Sequence, residues 1–317
     1  QHKIVATIET NFSRLDAASV SLKRAKANLK RARASVLKAA VEGRLVPTEA
    51  ALVRSGGRSY EPGSTLLARI LTERRARCVD GKARDTYKEP VAADLDGVGQ
   101  LPLGWAWGSC DQVGEILLGR RRAPEYTGAE RSYLRVANVK DGLLYLGDVQ
   151  RMPFEDAEFE KYQLKTGDVL VSEGQSPELV GQSALYLGAP SPCAFQATLH
   201  RFRPDSTSVL PRYAETVFRA WVRGGVFRKR CIVTTNIGHL TLGRFKSVPF
   251  PLPPLAEQHR IVAEVDRRLS VLDAIELTVN ADLARCVRLR QSILKRAFEG
   301  RLVPIEPVRT GEPQLAI

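Results

Sequence analysis

The 317 residues include 44% hydrophobic side chains, enough to supply a core for one large domain or two modest ones. The 48 Lys and Arg exceed the 35 Asp and Glu, and a formal net charge of +13 favours a polyanionic partner, nucleic acid first. There is no apolar run of about 18 residues and no short apolar segment with a cleavage site, so a membrane span or export is not expected and the cytoplasm is the expected location.

In chain order, residues 1–47 place Val5, Ile8, Phe12, Leu15, Leu22, Leu29 and Val36 at recurring steps of three and four. This spacing predicts one long helix with a narrow apolar seam, as in a two-stranded coiled coil. Gly43 and Pro47 supply its stop signals. The helix also carries the basic run KRAKANLKRAR, with Lys23, Lys30 and Arg31, read as a solvated face or as a docking strip for an acidic partner or phosphates. Residues 48–100 read as a connector, since SGGRSYEPG and CVDGKARDTYKEP are rich in turn and charged residues. One short helix is predicted inside it over TLLARILTERRAR, capped by Ser64, with Leu67, Ile70 and Leu71 as its apolar stripe. Residues 101–254 switch to short apolar runs broken by Gly, Pro and Asp, strand-like in SYLRVANV, DGLLYL, GDVLVS and SALYLG. RYAETVFRAWVRGG is helical in pattern, with Tyr213, Val217, Phe218 and Trp221 able to share a face.

The opening segment then returns: QHKIVATIE to LKAAVEGRLVP at 1–47 aligns without a gap with QHRIVAEVD to LKRAFEGRLVP at 258–304, so one structural unit is used twice. The second seam runs through Val262, Val265, Leu269, Leu272, Val279, Cys286 and Ile293, and Gly300 and Pro304 repeat the stop signals. The predicted fold class is α+β: a mixed domain (101–254) flanked by long helices (1–47 and 255–304) that pair as an antiparallel coiled coil, with a tail at 305–317. Leu15, Leu22, Leu269, Leu272 and Val279 are the expected pairing residues. Charged Lys26, Glu276, Arg33 and Arg290 interrupt the seams and leave open two independent amphipathic helices on a common core.

Cys78, Cys110, Cys193, Cys231 and Cys286 form no CxxC pair, and His2, His200, His239 and His259 form no HExxH. A Rossmann GxGxxG and a P-loop are missing as well, so neither a bound metal nor a bound nucleotide cofactor is expected on this chain.

Five motifs in a fixed order carry a resemblance: LPLGW at Leu101–Trp105, YLRVANVKDG at Tyr133–Gly142, LKTGDVLVSEGQSPELVG at Leu164–Gly181, TTNIGHL at Thr234–Leu240, and FPLPPLAEQHRIVAEVDRRLSVLD at Phe250–Asp273. Followed by the basic helix ending FEGRLVP, they resemble the specificity subunits of type I restriction-modification systems across nearly the whole chain. The resemblance implies two target-recognition domains, each followed by a conserved helix, the helices pairing antiparallel as a spacer. This chain starts at Gln1, within the motif that is complete at Pro253–Val262, and the expectation is that an upstream recognition domain has been removed. The resemblance further implies that the subunit reads one half of a split site in double-stranded DNA and positions modification (methyltransferase) subunits that methylate adenine, with a restriction (motor and nuclease) subunit joining for cleavage. S-adenosylmethionine, Mg and ATP are then expected on those partners, and no catalytic residue on this chain. The rival functions are a structural coiled-coil adaptor and a nucleic-acid-modifying enzyme.

Phosphate contacts need Lys, Arg or small polar donors on loops, while base reading favours Arg on guanine and Asn or Gln on adenine. GRRRAPEY offers Arg120, Arg121 and Arg122 in a Gly- and Pro-bounded loop, a solubilising surface loop being its alternative; RVANVK offers Arg135, Asn138 and Lys140, alternating outward from Leu134, Val136 and Val139. Asn138 could equally close a turn. SEGQSPELVG offers Glu173, Gln175 and Ser176, or serves only as turn chemistry through its two Gly and one Pro, and FRKRCIVTTNIGHL contributes Arg228, Lys229, Arg230, Thr234, Thr235 and Asn236, with capping or turning the chain as the alternative role of Thr235 and Asn236.

Overall fold

A computed structural model describes residues 1–56, 59–80, 87–123 and 127–303. Pro304, the tail 305–317 and Pro124–Tyr126 of the arginine loop lie outside the described residues. The chain divides into two compact units, Gln1–Arg33 with Leu269–Ile317, and Ala34–Arg268.

The helices are α1 (His2–Val41), α2 (Glu49–Gly56), α3 (Gly63–Asp80), α4 (Cys110–Val113), α5 (Asp156–Tyr162), α6 (Pro211–Arg223), α7 (Val226–Arg230), α8 (Leu242–Lys246) and α9 (Leu255–Phe298). The strands are β1 (Ala106–Ser109), β2 (Gly114–Leu118), β3 (Ala129–Leu134), β4 (Val139–Lys140), β5 (Leu143–Leu144), β6 (Gln150–Phe154), β7 (Val169–Ser172), β8 (Gly174–Gln175), β9 (Ser183–Leu185), β10 (Cys193–Phe195), β11 (Leu199–Pro204), β12 (Ile232–Thr234), β13 (Ile237–His239) and β14 (Pro249–Leu252). Mixed helix and sheet between two long helices is the architecture the sequence predicts.

In the first unit the outer parts of α1 and α9 run antiparallel, because partners rise along one helix as they fall along the other. Arg290 donates to Asp16 (2.8 Å) and lies over the Phe12 ring, Lys26 donates to Asn280 (2.9 Å), and Arg33 bridges Asp273 and Glu276. The charges that interrupt the seam in sequence are thus the groups that cross-link the helices. Leu29, Leu269 and Val279 are buried and Leu15, Leu22 and Leu272 are partly buried, whereas Val5 is exposed and drops out of the predicted seam. Lys23, Lys30 and Arg31 of the basic run are exposed. The repeat extends to the helix stops. Gly43 (φ +65°) and Gly300 (φ +68°) both take the left-handed conformation open to glycine, and the next amide reaches back five residues, Arg44 N to Ala39 O and Arg301 N to Arg296 O.

The second unit is built on the antiparallel sheet β2-β11-β7-β9. β7 (VLVS) is buried along its whole length, hence its apolar run rather than strict alternation, whereas β11 (LHRFRP) is buried nearly throughout although it carries His200, Arg201 and Arg203. A second sheet, β10-β3-β6, encloses a core of Leu134, Leu164, Leu170, Tyr186 and Phe195 with the first. On the other side α6 buries Tyr213, Val217 and Phe218, the residues its spacing predicts, while Trp221 stacks on Trp107 at 6.4 Å. The connector helix starts at Gly63, so Ser64 lies inside it rather than capping it, and Leu66 joins Ile70 as its buried stripe. A Cβ at Gly63 would stand 2.1 Å from Leu252 O, so only glycine lets this helix abut β14.

Two motifs meet where α9 begins. Buried Glu257 accepts from Trp105 Nε1 and from Glu49 N, both at 2.9 Å, and buried Gln258 accepts from Leu210 N while donating to Ser208 O and Pro253 O. LPLGW and PPLAEQ are therefore joint-forming sequences: each polar side chain satisfies backbone or indole groups that burial would otherwise leave unpaired.

Buried His200 packs on Phe245, and its Nε2–H donates to Leu240 O at 2.7 Å. Burial pulls the imidazole down to about 4 against the opposing effect of that hydrogen bond, so the fold holds it neutral while the unfolded chain protonates near 6.5. Stability is then lost as pH falls from about 6.5 towards 4 and changes no further below that, a loss of about 3 kcal/mol attributable to this one side chain. The expected result is that a His200→Gln variant shows a smaller drop in urea midpoint between pH 7 and pH 4 than the parent. Equal drops would refute it.

Candidate nucleic-acid interface

The main sheet ends in a belt of loops joined by backbone hydrogen bonds. Past β2, Arg120 N donates to Phe195 O and Ala197 N to Arg120 O; a Cβ at Gly119 would sit 2.2 Å from Gln196 O, which is why glycine precedes the arginines. Gln196 N reaches Leu134 O, Val136 N reaches Thr198 Oγ1 (3.1 Å), Glu173 N reaches Thr198 O (3.0 Å), and Leu240 N reaches Glu173 O (2.7 Å). The β12–β13 hairpin is stitched on through Gly238 opposite Gln175. Four segments far apart in sequence, at 119–122, 135–138, 173–176 and 234–240, are thereby held around the 196–198 turn.

Within this belt the predicted residues separate by burial. Arg121, Arg122, Thr234, Thr235 and Asn236 are exposed, and Gln175 and Ser176 are partly exposed; Arg228 and Lys229, also exposed, lie outside the belt on α7, directly before β12. Thr235 (φ +46°) and Asn236 (φ +68°) form the two-residue tip of the hairpin. Lys140 is exposed over the Tyr145 ring, apart from the hydrogen-bonded belt.

Three predicted contact residues are internal instead. Arg120 is 3% exposed; its guanidinium donates to Pro153 O, pairs with Glu158 at 2.6 Å and lies over the Phe154 ring. Asn138 is 1% exposed and closes a turn, accepting from Arg135 N and donating to Tyr145 O and Asp148 O. Arg230 is 8% exposed, its Nη2 donating to Asp94 O and Asp96 O. Arg135 is partly buried and paired with Asp148. The alternation predicted for RVANVK fails because β3 stops at Leu134 and Val136–Asn138 is a 3-10 turn.

Gln196 and Thr198, at the centre of the belt, escape the sequence reading: CAFQATLH has a strand's pattern and no Lys or Arg to mark a loop. His239, 3.3 Å from Glu173, is another polar group of the belt that the motif search set aside. Among the described residues no group of three or more His, Cys, Asp or Glu is placed to hold a metal ion, and no helix is long and apolar enough to cross a membrane.

A rigid sheet that gathers cationic and amide-bearing loops from distant segments defines a recognition module. Residues 132–284 match the family described as type I restriction modification DNA specificity domain, so this part of the chain is similar to the type I specificity subunits. The StySPI specificity subunit of Salmonella potsdam is 33% identical over 178 residues, 55% of this chain and 38% of that one. The EcoKI specificity subunit of Escherichia coli K12 is 30% identical over 191 residues, 59% of this chain and 41% of that one. The chain thus spans about two fifths of the length of these curated relatives. A solved chain from a study of complex assembly and conformational transition of the type I R-M system shares the fold, with a TM-score of 0.52 at 22% identity over 76% of this chain and 58% of that one.

Proposed function

We propose that this chain reads one half of a bipartite site in double-stranded DNA through the loop belt, performs no chemistry itself, and presents its paired helices as spacer and dock for methyltransferase subunits. The observation that carries this is the convergence of exposed Arg121, Arg122 and Thr234–Asn236 with Gln175 and Ser176 on one hydrogen-bonded belt, with exposed Arg228 and Lys229 on α7, directly before β12. These are the donor types that grip phosphates and read base edges. In this proposal S-adenosylmethionine sits on the modification subunits, and Mg and ATP serve the motor and nuclease subunit.

Duplex binding by the chain alone is expected to be dominated by charge. Four phosphate-neutralising cations give a log-log slope of affinity on salt of about −3 to −4. Fluorescence anisotropy from low to high salt checks this, and a salt-insensitive interaction would count against the proposal. Adenine methylation is expected only after modification subunits are added; turnover by the purified chain with S-adenosylmethionine favours the enzyme, and no DNA binding even at low salt favours the structural adaptor.

A further inference from the structure

The β12–β13 hairpin carries a feature that charge-based reading does not use. Cross-strand partners share a face of a ribbon, so the pairs Ile232–His239 and Thr234–Ile237 lie on one side and Val233–Gly238 on the other. On the first side Ile232 is 42% and Ile237 46% exposed, next to exposed Thr234. β12 is also an edge, since the sheet order is β12-β13-β8. An edge with uncovered β-branched residues is a pairing hazard that proteins ordinarily cover or charge. Here the covering charges stand only at the foot, where Arg228 and Lys229 are exposed on α7, and the tip is closed by Thr235 and Asn236 in left-handed conformations that side chains other than glycine rarely adopt.

We infer that this ribbon enters the DNA major groove, with Ile232 and Ile237 packed on thymine 5-methyl groups, so that part of the sequence preference is apolar. The inference rests on the DNA-reading proposal above. Three observations fit this occupant together. A two-stranded ribbon has the width the major groove admits, and the thymine methyl is the one apolar group on its floor. Thr234 and Asn236 at the tip supply the hydrogen-bonding groups that base edges pair with. The cationic foot complements the phosphates that flank the groove. Val233, on the opposite side with Gly238, is not assigned a methyl contact.

The test separates this inference from the function it rests on. Preferred duplexes are selected from a random pool with the full chain, and each thymine is then replaced singly by uracil, which removes only the 5-methyl group. At one or two positions the parent is expected to bind the uracil duplex about fourfold more weakly, the factor that burial of one methyl-sized group carries. In Ile232→Ser or Ile237→Ser the affected ratio is expected to fall to about one while the salt slope stays that of the parent. Both side chains are exposed, so the variants keep the parent's melting temperature, and the parental uracil scan needs no variant at all. A parent indifferent to uracil everywhere, a preferred site without thymine, or a uracil effect that survives in both variants overturns the inference and leaves sequence reading intact. Chains that pair through β12 rather than bind DNA also overturn it. If no preferred duplex emerges, the functional proposal falls and takes the inference with it.

Discussion

Leu269→Asp and Val279→Asp are each expected to destabilise the antiparallel helices by about 3–5 kcal/mol, the cost of placing an unpaired carboxylate in an apolar seam. Both side chains are buried, and they alternate along α9 with residues that cross-link to α1, Asp273 and Glu276 to Arg33 and Asn280 to Lys26. Leu15→Asp and Leu272→Asp, at partly buried positions of the same seams, are expected to act in the same direction by less. The control is Leu277→Asp, because Leu277 is 72% exposed and a charge there changes stability by no more than about 0.5 kcal/mol. Helical circular dichroism followed through a urea titration distinguishes the two groups. Equal midpoints for Leu269→Asp and Leu277→Asp would show that the seam carries no packing energy.

Period is what made the helices legible. An apolar step of three and four sustained from Val5 to Val36, about nine helical turns, has few alternative interpretations, and a gapless internal repeat supplies an independent second copy. The short strands were recognisable as strands, but their partners were not, since pairing β10 with β3 joins residues 61 apart in sequence and pairing β2 with β11 joins residues 82 to 90 apart, and no local pattern encodes that choice. The site failed in a different way. Residue type identifies groups able to meet DNA, yet the same guanidinium or amide can satisfy buried backbone carbonyls, and Arg120, Asn138 and Arg230 do so. Gly119 was the unused clue: a glycine demanded by close backbone approach means the chain beside it is packed, so the first arginine after it is internal and only the later ones are free.

That division within Arg120–Arg122 leads to unequal effects of single Ala substitutions. Arg120→Ala removes a buried cation from Glu158, from Pro153 O and from the face of Phe154, and leaves a cavity between β6 and the belt. Glu158 keeps partial access to solvent, which softens the penalty of the orphaned carboxylate, and the expected loss is about 2–4 kcal/mol of folding stability. Arg121→Ala and Arg122→Ala are expected to leave stability within about 0.5 kcal/mol of the parent, because both side chains are exposed. Their effect falls on DNA. A phosphate-gripping arginine lost from this loop weakens every duplex alike and reduces the salt slope by about one, whereas an arginine bidentate to guanine costs about 1–3 kcal/mol at a single base position and relaxes preference there. The side chains of consecutive residues leave the backbone in different directions, so one of each behaviour is expected from Arg121 and Arg122. The measurements are urea midpoints for the three variants, then binding of each folded variant to the preferred duplex and its single-base variants at two salt concentrations, with modification subunits present. If Arg120→Ala is as stable as the parent, the buried pair has been misassigned. If Arg121→Ala and Arg122→Ala match the parent in affinity, preference and slope, the loop only solubilises the surface, and the reading surface must lie with Gln175, Ser176 and the β12–β13 hairpin.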